Sequence, residues 1–282
     1  MNKVDFLGHK FSRLIIGDNP MTGHSYIEDT VPGVEMKGYY SDENVQRAFS
    51  RLEEVGFTGM LPLAQDYMIS QHKEHEARGG KLKLIWQYHF SNTISVTDVK
   101  GTIGAYIGGG VVDYLYERGE IATIKENLEK IRSLGIHVGL GTHYPEVIKR
   151  ADEENWGAEF YLACVHQARR GRVGEQSGFI TGKTKSGIIF YPEDRPVMLD
   201  TISKTDKPVI AFKIFAGGQM FLGKTEEQKR ALIKGVYDEV FTALKPNDMA
   251  AIGVFQRDKD EIKEDYDLYM EWYREKYGVE AE

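Results

Sequence analysis

Three histidines and one lysine stand where they could do acid–base or covalent chemistry. His89, His143 and His166 each come at the end of a short apolar run. Imidazole titrates near neutral pH, which suits these side chains to general acid–base catalysis. Lys213 interrupts a further apolar run, where a lysine is rarely buried without a partner. It could stabilise a developing enolate or alkoxide, or form a Schiff base with a carbonyl substrate if burial lowers its pKa.

A period of two places these groups on shared faces of their strands, because successive side chains of a strand point to opposite sides. Three such faces end in histidine, and they are Ile85-Gln87-His89, Gly139-Gly141-His143 and Phe160-Leu162-Cys164-His166. If the three faces point into one barrel, the three imidazoles converge above its core. The alternative is that each histidine merely bonds a loop and that Cys164 is part of the apolar core.

Short apolar runs alternate with longer amphipathic segments along the whole chain. They form eight strand–helix units of roughly 35 residues each, which predicts an α/β fold of the (β/α)8 TIM barrel type. The rival is an open, doubly wound sheet, but no G-x-G-x-x-G follows the first strand. We predict a single domain over residues 1–282, with the glycine-containing loop 171–187 as a candidate lid.

Helix boundaries can be predicted at several points. Ser41 is a suitable N-cap and Gly56 a suitable stop for a helix whose apolar residues follow the i, i+3, i+4, i+7 spacing. A long helical segment over 111–134 contains Gly119, where we expect a break. Lys207–Lys213 is predicted to form the seventh strand of the barrel.

In a barrel of this type the working residues lie at the carboxyl ends of the strands. We therefore expect Lys213, His143, His89, His166 and Asp18 to be catalytic. The expected substrate-binding residues are Asn19, His24, Gln87, Thr142, Tyr161, Cys164, Gly217 and Gly218. Asn19 and Gln87 would hold hydroxyl groups, and the amides of Gly217 and Gly218 would meet an anion. A purely structural alternative for Lys213 is an ion pair with Asp18 or with another carboxylate at a strand end.

The composition is that of an ordinary globular protein. Of 282 residues, 41% are hydrophobic and 28% charged, so the chain can bury a sizeable core. The net charge of −7 argues against nucleic acid or an anionic membrane as a partner. Because Cys164 is the single cysteine, no internal disulfide can form, which fits a cytoplasmic location. We expect a small-molecule substrate, and a homo-oligomer remains open.

Three parts of the chain resemble the aldo-keto reductases. Residues 7–17 resemble the opening hairpin and first strand of that family, and 207–218 resemble a late strand of some bacterial members. The segments 252–255 and 258–265 resemble its last strand and helix. The resemblance implies a TIM barrel and an NAD(P)H-dependent carbonyl reductase with an aspartate, a tyrosine, a lysine and a histidine at its site. That tetrad is not matched, because strand three ends in Gln87 and His89 instead of a lysine.

The chain also resembles a group of bacterial barrel proteins of unassigned activity. The shared motifs are Gly17–Pro20, Thr142–Glu146 and Phe212–Ile214. This resemblance implies a barrel with its own kind of site and supplies no reaction.

Three functions follow as hypotheses. The first is an enzyme of the lyase, isomerase or hydrolase kind, acting on a sugar or oxo-acid by acid–base chemistry and with a divalent metal as an open option. Histidines with Asp18 could bind Zn²⁺ or Mn²⁺, although no close-spaced H-x-H or H-E-x-x-H occurs. The second is a nicotinamide-dependent reductase with a rearranged site. The third is a binding protein without catalysis, since a barrel alone does not prove an enzyme.

Overall fold

A computed structural model describes residues 2–168 and 188–278, and its centre is a closed barrel of eight parallel strands. An antiparallel hairpin of β1 (Lys3–Phe6) and β2 (His9–Ser12) precedes the barrel. The barrel strands are β3 (Leu14–Gly17), β4 (Gly59–Leu61), β5 (Lys83–Tyr88), β6 (Thr102–Ile107), β7 (His137–Thr142), β8 (Phe160–Cys164), β9 (Val209–Phe212) and β10 (Met249–Gly253). Their order follows the chain, and β10 closes the ring on β3. The predicted TIM barrel is therefore confirmed.

Helices surround the barrel and connect its strands. They are α1 (Gly33–Tyr39), α2 (Asp42–Val55), α3 (Asp66–Ala77), α4 (Gly109–Glu117), α5 (Ile121–Arg132), α6 (Pro145–Glu153), α7 (Asp194–Lys204), α8 (Glu226–Ala243) and α9 (Glu261–Tyr277). Ser41 caps α2 by accepting from the Asn44 amide, and Gly56 ends the helix with a φ of 116°. Gly119, with a φ of 73°, separates α4 from α5 as expected. None of the helices described is long and apolar enough to cross a membrane.

Alternate residues of the strands fill the inside of the barrel, as the period of two predicts. Ile85, Phe160 and Leu162 belong to this inner cluster, whereas Tyr161 and Ala163 pack outward against the helices. The outward residues form the larger core between strands and helices. The three strand faces that end in histidine therefore point inward at the carboxyl ends of the strands.

The hairpin closes the opposite, amino-terminal end of the barrel. Phe6 and Phe11 belong to the inner cluster, and the Phe6 ring lies 5.6 Å from the ring of Phe160. A Cβ atom on Gly59 would lie 2.5 Å from the Phe11 ring, so glycine makes room for this plug. With that end filled, the carboxyl ends of the strands are left for a site.

One expectation changes at the seventh barrel strand, which was predicted to include Lys213. The strand β9 ends at Phe212, so Lys213 lies just beyond it, with a left-handed backbone φ of 58°. A 3₁₀ segment over Ala216–Phe221 follows. The candidate lid 171–187 lies outside the described residues, and the single domain over 1–282 stays a prediction.

Candidate active site

A chain of hydrogen bonds joins Lys213, His143 and Asp113 at the carboxyl end of the barrel. Lys213 Nζ lies 3.0 Å from His143 Nε2, and His143 Nδ1 lies 2.6 Å from Asp113 Oδ2. Asp113 is on α4 and fully buried, and Thr142 Oγ1 donates to its other oxygen at 2.6 Å. The backbone amide of His143 also points at this carboxylate, at 3.2 Å from Oδ1. The aspartate is thus supplied with donors from two consecutive residues of one strand end.

The contact between Lys213 and His143 holds one shared proton. Two nitrogens in a hydrogen bond need one donor and one acceptor, so the ammonium with a neutral imidazole, or the amine with an imidazolium, satisfies the contact. Burial and the charge on Lys213 lower the pKa of His143, but Cys164 and Asp113 outweigh them and its pKa is raised. Nδ1 carries a hydrogen in both forms, because the carboxylate can only accept. A proton can therefore pass from Lys213 to His143 without moving Asp113.

Lys213 is enclosed by three aromatic rings. Its Nζ lies 4.8 Å from the ring centre of Tyr26, 5.3 Å from that of Phe212 and 5.6 Å from that of Phe190. Burial lowers the pKa of Lys213, yet Tyr26 and Cys164 outweigh burial and the net direction is upward. The resting lysine is therefore an ammonium ion. Burial alone does not activate it, so its nucleophilic form requires a base.

Cys164, the last residue of β8, lies beside Lys213 and His143, and we call these three residues together with Asp113 the cluster. Strand pairing sets Thr142 beside Ala163 and Cys164 beside Phe212, which places the thiol between His143 and Phe212 on the inner face. The rings of His143 and Phe212 lie 5.9 Å apart. Burial raises the pKa of the thiol, but the charges on Lys213 and His143 outweigh it, and its pKa is lowered.

Gln219 ties together the segments that cover Lys213. Its Nε2 donates to the Tyr26 carbonyl at 3.0 Å and to the Ile188 carbonyl at 2.6 Å, and its Oε1 accepts from the Phe190 amide at 3.1 Å. The rings of Tyr26 and Phe190 lie 5.3 Å apart. These two rings form a cover over the lysine that a substrate would have to move.

Gly217 and Gly218 support this cover and do not form the anion cradle that we expected. A Cβ atom on Gly217 would lie 2.6 Å from the ring of Tyr26, at a φ of 57°. The amide of Gly218 already donates to the Phe215 carbonyl at 2.9 Å. The expected anion site is therefore corrected: Gly217 packs closely under Tyr26, and Gly218 lies beside Ile27 with its amide already bonded.

Substituting Gly217 by alanine should loosen this packing. The new methyl would clash with Tyr26, and the left-handed backbone would be strained, so we expect a loss of about 1–3 kcal/mol in the free energy of unfolding. Gly223→Ala is the control, because Gly223 has a similar φ of 69° and open space around its Cα. In urea unfolding, Gly223→Ala should lower the free energy of unfolding by about 1 kcal/mol, from backbone strain alone. Equal losses in both variants would contradict the packing role.

Four expected residues lie beside the cluster with partners of their own. Asn19 Nδ2 donates to the Tyr26 hydroxyl at 3.4 Å, and Gln87 Oε1 accepts from Tyr106 at the same distance. His24 Nδ1 lies 2.9 Å from Thr22 Oγ1, and burial, aided by the Lys213 charge, lowers its pKa. The fourth, Asp18, is buried and accepts from the Leu63 amide at 2.7 Å. Lys213 thus bonds His143, and the ion pair with Asp18 is not the arrangement found.

The structure does not bring His89 and Tyr161 to the cluster. His89 lies beyond the end of β5, where its Nδ1 is 2.7 Å from Ser91 Oγ in the same turn. Tyr161 faces the helices, and its hydroxyl donates to Asp152 at 2.6 Å. Both assignments are corrected, because one side chain is held by its own turn and the other points out of the barrel.

Over 2–168 and 188–278, no group of three or more histidine, cysteine, aspartate or glutamate side chains is arranged to hold a metal ion. The metal ligands that we considered, the strand-end histidines with Asp18, are separated into different contacts. His143 bonds Asp113 and Lys213, whereas Asp18 bonds a backbone amide.

Two residues of the site were missed in the sequence. Asp113 lies within a helix, and Tyr26 in the loop after β3, so neither ends a predicted strand. A signal for Asp113 was present, because a lone carboxylate follows the apolar run Gly109–Val112 in a helix that must pack on the barrel.

The fold is similar to that of known barrel enzymes. One is dihydropteroate synthase from Yersinia pestis with a sulfonamide drug, at 10% identity over 98% of this chain and 100% of that one, with a TM-score of 0.55. Another is the holo form of an aldo-keto reductase from Bacillus halodurans, at 12% identity over 95% and 90%, with a TM-score of 0.50. No family model and no curated protein matches the sequence. The likeness shows a TIM barrel, and enzymes of different reaction classes share it.

Proposed function

We propose that this protein is an enzyme that forms a Schiff base between Lys213 and a small polar carbonyl compound, of the oxo-acid or sugar type. The observation that supports this most is the chain of contacts from Lys213 Nζ through His143 to Asp113, at 3.0 and 2.6 Å. A nucleophile, a base and a group that orients the base stand in that order in many enzymes that use covalent catalysis.

Each residue then has a definite task. His143 takes a proton from Lys213, and the freed amine attacks the carbonyl carbon, forming the carbon–nitrogen bond. The attacking nitrogen passes one of its protons to the former carbonyl oxygen, which gives the carbinolamine. His143 then returns its proton to that hydroxyl group, which leaves as water and gives the protonated imine. Asp113 holds the imidazole with Nε2 toward the lysine and stabilises the imidazolium in between. The cover of Tyr26 and Phe190 excludes water from the imine once it is formed.

Reductive trapping tests this proposal. The protein is incubated with pyruvate, dihydroxyacetone or glyceraldehyde and cyanoborohydride, and its mass and peptides are measured. We expect rapid formation of one reduced adduct on Lys213, with the mass of the compound less one oxygen, and in Lys213→Met only slow labelling of exposed lysines. Lys207→Met is the matched control, because Lys207 also contacts an aromatic ring, at 5.3 Å from Tyr161, and pairs with an aspartate. A trapping rate that is unchanged in Lys213→Met, or no adduct with any of the three compounds, would contradict the proposal.

A nicotinamide-dependent reductase is the second candidate, favoured by the presence of Tyr26 beside Lys213, His143 and Asp113. These are the four residue types that the resemblance to aldo-keto reductases implies, in a different arrangement. After β9 the ring of Tyr26 lies against Gly217, and the amide of Gly218 already donates to the Phe215 carbonyl, so this glycine pair does not fit a cofactor phosphate and no hydride step follows. Saturable quenching of protein fluorescence by NADPH, without trapping at Lys213, would favour this candidate. A binding protein without catalysis is favoured if Lys213→Met and His143→Gln change neither property.

A further inference from the structure

We propose that His166 is a second acid–base group of this site, which accepts the proton of a hydroxyl group β to the substrate carbonyl. The reaction would then be an aldol-type cleavage of a carbon–carbon bond. This inference rests on the proposed Schiff base at Lys213, and it adds the substrate class and the reaction.

The position of His166 is the first observation. It follows Cys164, the last residue of β8, by two residues, and only 1% of its surface is exposed. The outward residue between them, Val165, packs in the outer core. His166 therefore lies at the same end of the barrel as Lys213 and His143.

The hydrogen bonds of His166 fix which nitrogen is free. Nδ1 lies 3.0 Å from the Tyr191 carbonyl oxygen, and a carbonyl can only accept, so Nδ1 carries the hydrogen. Nε2 is then a lone-pair acceptor, and it is buried with no partner among the residues that the structure describes. A buried acceptor without a donor is costly, so a hydroxyl from a ligand would be favoured there. Burial also lowers the pKa of His166, which keeps the lone pair free at neutral pH.

Phe190 connects His166 to the lysine. Its ring centre lies 5.5 Å from the His166 ring and 5.6 Å from Lys213 Nζ. Both groups therefore border the volume that Phe190 fills. If a substrate displaces this ring, an imine on Lys213 and a hydroxyl at His166 can belong to one small molecule.

The chemistry balances with water as the only co-reactant. His166 removes the proton of the β-hydroxyl, the bond between the α and β carbons breaks, and its electron pair moves into the imine to give an enamine. The β carbon leaves as an aldehyde. The proton held by His166 then goes to the α carbon, and water hydrolyses the resulting imine to release the second product and free Lys213.

The test compares His166→Gln with the unaltered protein in two assays. The first is trapping of pyruvate, which has no hydroxyl group, and the second is release of pyruvate from 4-hydroxy-2-oxopentanoate or cleavage of fructose. We expect trapping within about twofold of the unaltered protein and cleavage reduced by roughly 10²-fold or more. His137→Gln is the control, because that histidine lies at the other end of β7 beside Glu159.

The possible failures can be told apart. If the unaltered protein is trapped at Lys213 and His166→Gln cleaves the hydroxylated probes at the normal rate, the role of His166 is wrong. The proposed Schiff base would not be affected by that result. Trapping without cleavage of either hydroxylated probe by the unaltered protein would also overturn the role of His166. Loss of trapping and cleavage together in His166→Gln would show that His166 does not act on the hydroxyl. No trapping in the unaltered protein would contradict the proposed function itself.

Discussion

Replacing Asp113 by asparagine is expected to slow Schiff-base formation at Lys213 by roughly 10²–10⁴-fold. The asparagine side chain would have nearly the same shape, but its amide lacks the charge that stabilises the imidazolium. Its NH₂ group could also face Nδ1, which would turn the imidazole into the tautomer with the hydrogen on Nε2. Nε2 could then no longer accept a proton from the lysine. The measurement is the rate of reductive trapping with pyruvate, and a change of less than about threefold would contradict a role for Asp113.

Asp152→Asn is the matched control for Asp113→Asn. Asp152 also accepts hydrogen bonds from several side chains, namely Tyr161 and Thr205 at 2.6 Å each, and it pairs with Lys207 at 3.1 Å. It lies on α6, and its partners are at the start of β8 and just before β9, away from the strand ends that carry His143 and Lys213. We expect this variant to lose some stability and to keep the trapping rate, which separates a general loss of packing from the loss of the proton relay.

Replacing Asp18 by asparagine is expected to remove a large part of the dependence of stability on pH. Burial, only partly offset by the bond from the Leu63 amide, raises the pKa of Asp18 from 3.8 to about 7. The folded state therefore binds a proton that the unfolded state has released between about pH 4 and pH 7. Stability is highest below the unfolded pKa and falls as the pH rises through the folded pKa. A shift of about three pH units corresponds to on the order of 4 kcal/mol.

Urea unfolding at pH 4.5 and pH 8 measures this effect. The asparagine can still accept from the Leu63 amide, and it has no charge to bury. As the pH rises from 4.5 to 8, the free energy of unfolding should fall in the unaltered protein. In Asp18→Asn this fall should be smaller by several kcal/mol. Asp200→Asn serves as the control, because that side chain is exposed on α7. The same pH dependence in Asp18→Asn and the unaltered protein would show that Asp18 is ionised in the fold throughout this range.

The sequence predicted much of the site through the alternation of strand residues. Phe160 and Leu162 belong to the inner cluster, as the alternation predicted, and Cys164 on the same face interacts with Lys213 and His143. The same alternation pointed to His166, which is buried two residues further along the chain. Tyr161 has the opposite parity, so the alternation itself could have excluded it. His89 could not be excluded in this way, because its parity is inward and only the local bond to Ser91, in the turn after β5, holds its side chain.

The direction of Lys213 could not be predicted from alternation. Ile210 and Phe212 face the inside of the barrel, so a continuing strand would turn Lys213 toward the helices. Its backbone instead adopts a φ of 58°, and the side chain reaches His143. A left-handed conformation at a residue other than glycine is uncommon and depends on tertiary packing, which the local sequence does not reveal. Asp113 was missed for a related reason, since its partner is 30 residues away on the chain, just after β7.

Competitive labelling tests the relay from Lys213 to Asp113 most directly. The rates of reductive trapping by pyruvate at Lys213 and at the exposed Lys10, which is 69% accessible, are compared by peptide mapping of one sample at pH 7. We predict that Lys213 reacts roughly 10²-fold faster or more, and that His143→Gln removes this advantage. A Lys213 that reacts no faster than Lys10, or that reacts equally fast without His143, would contradict an amine activated by the imidazole.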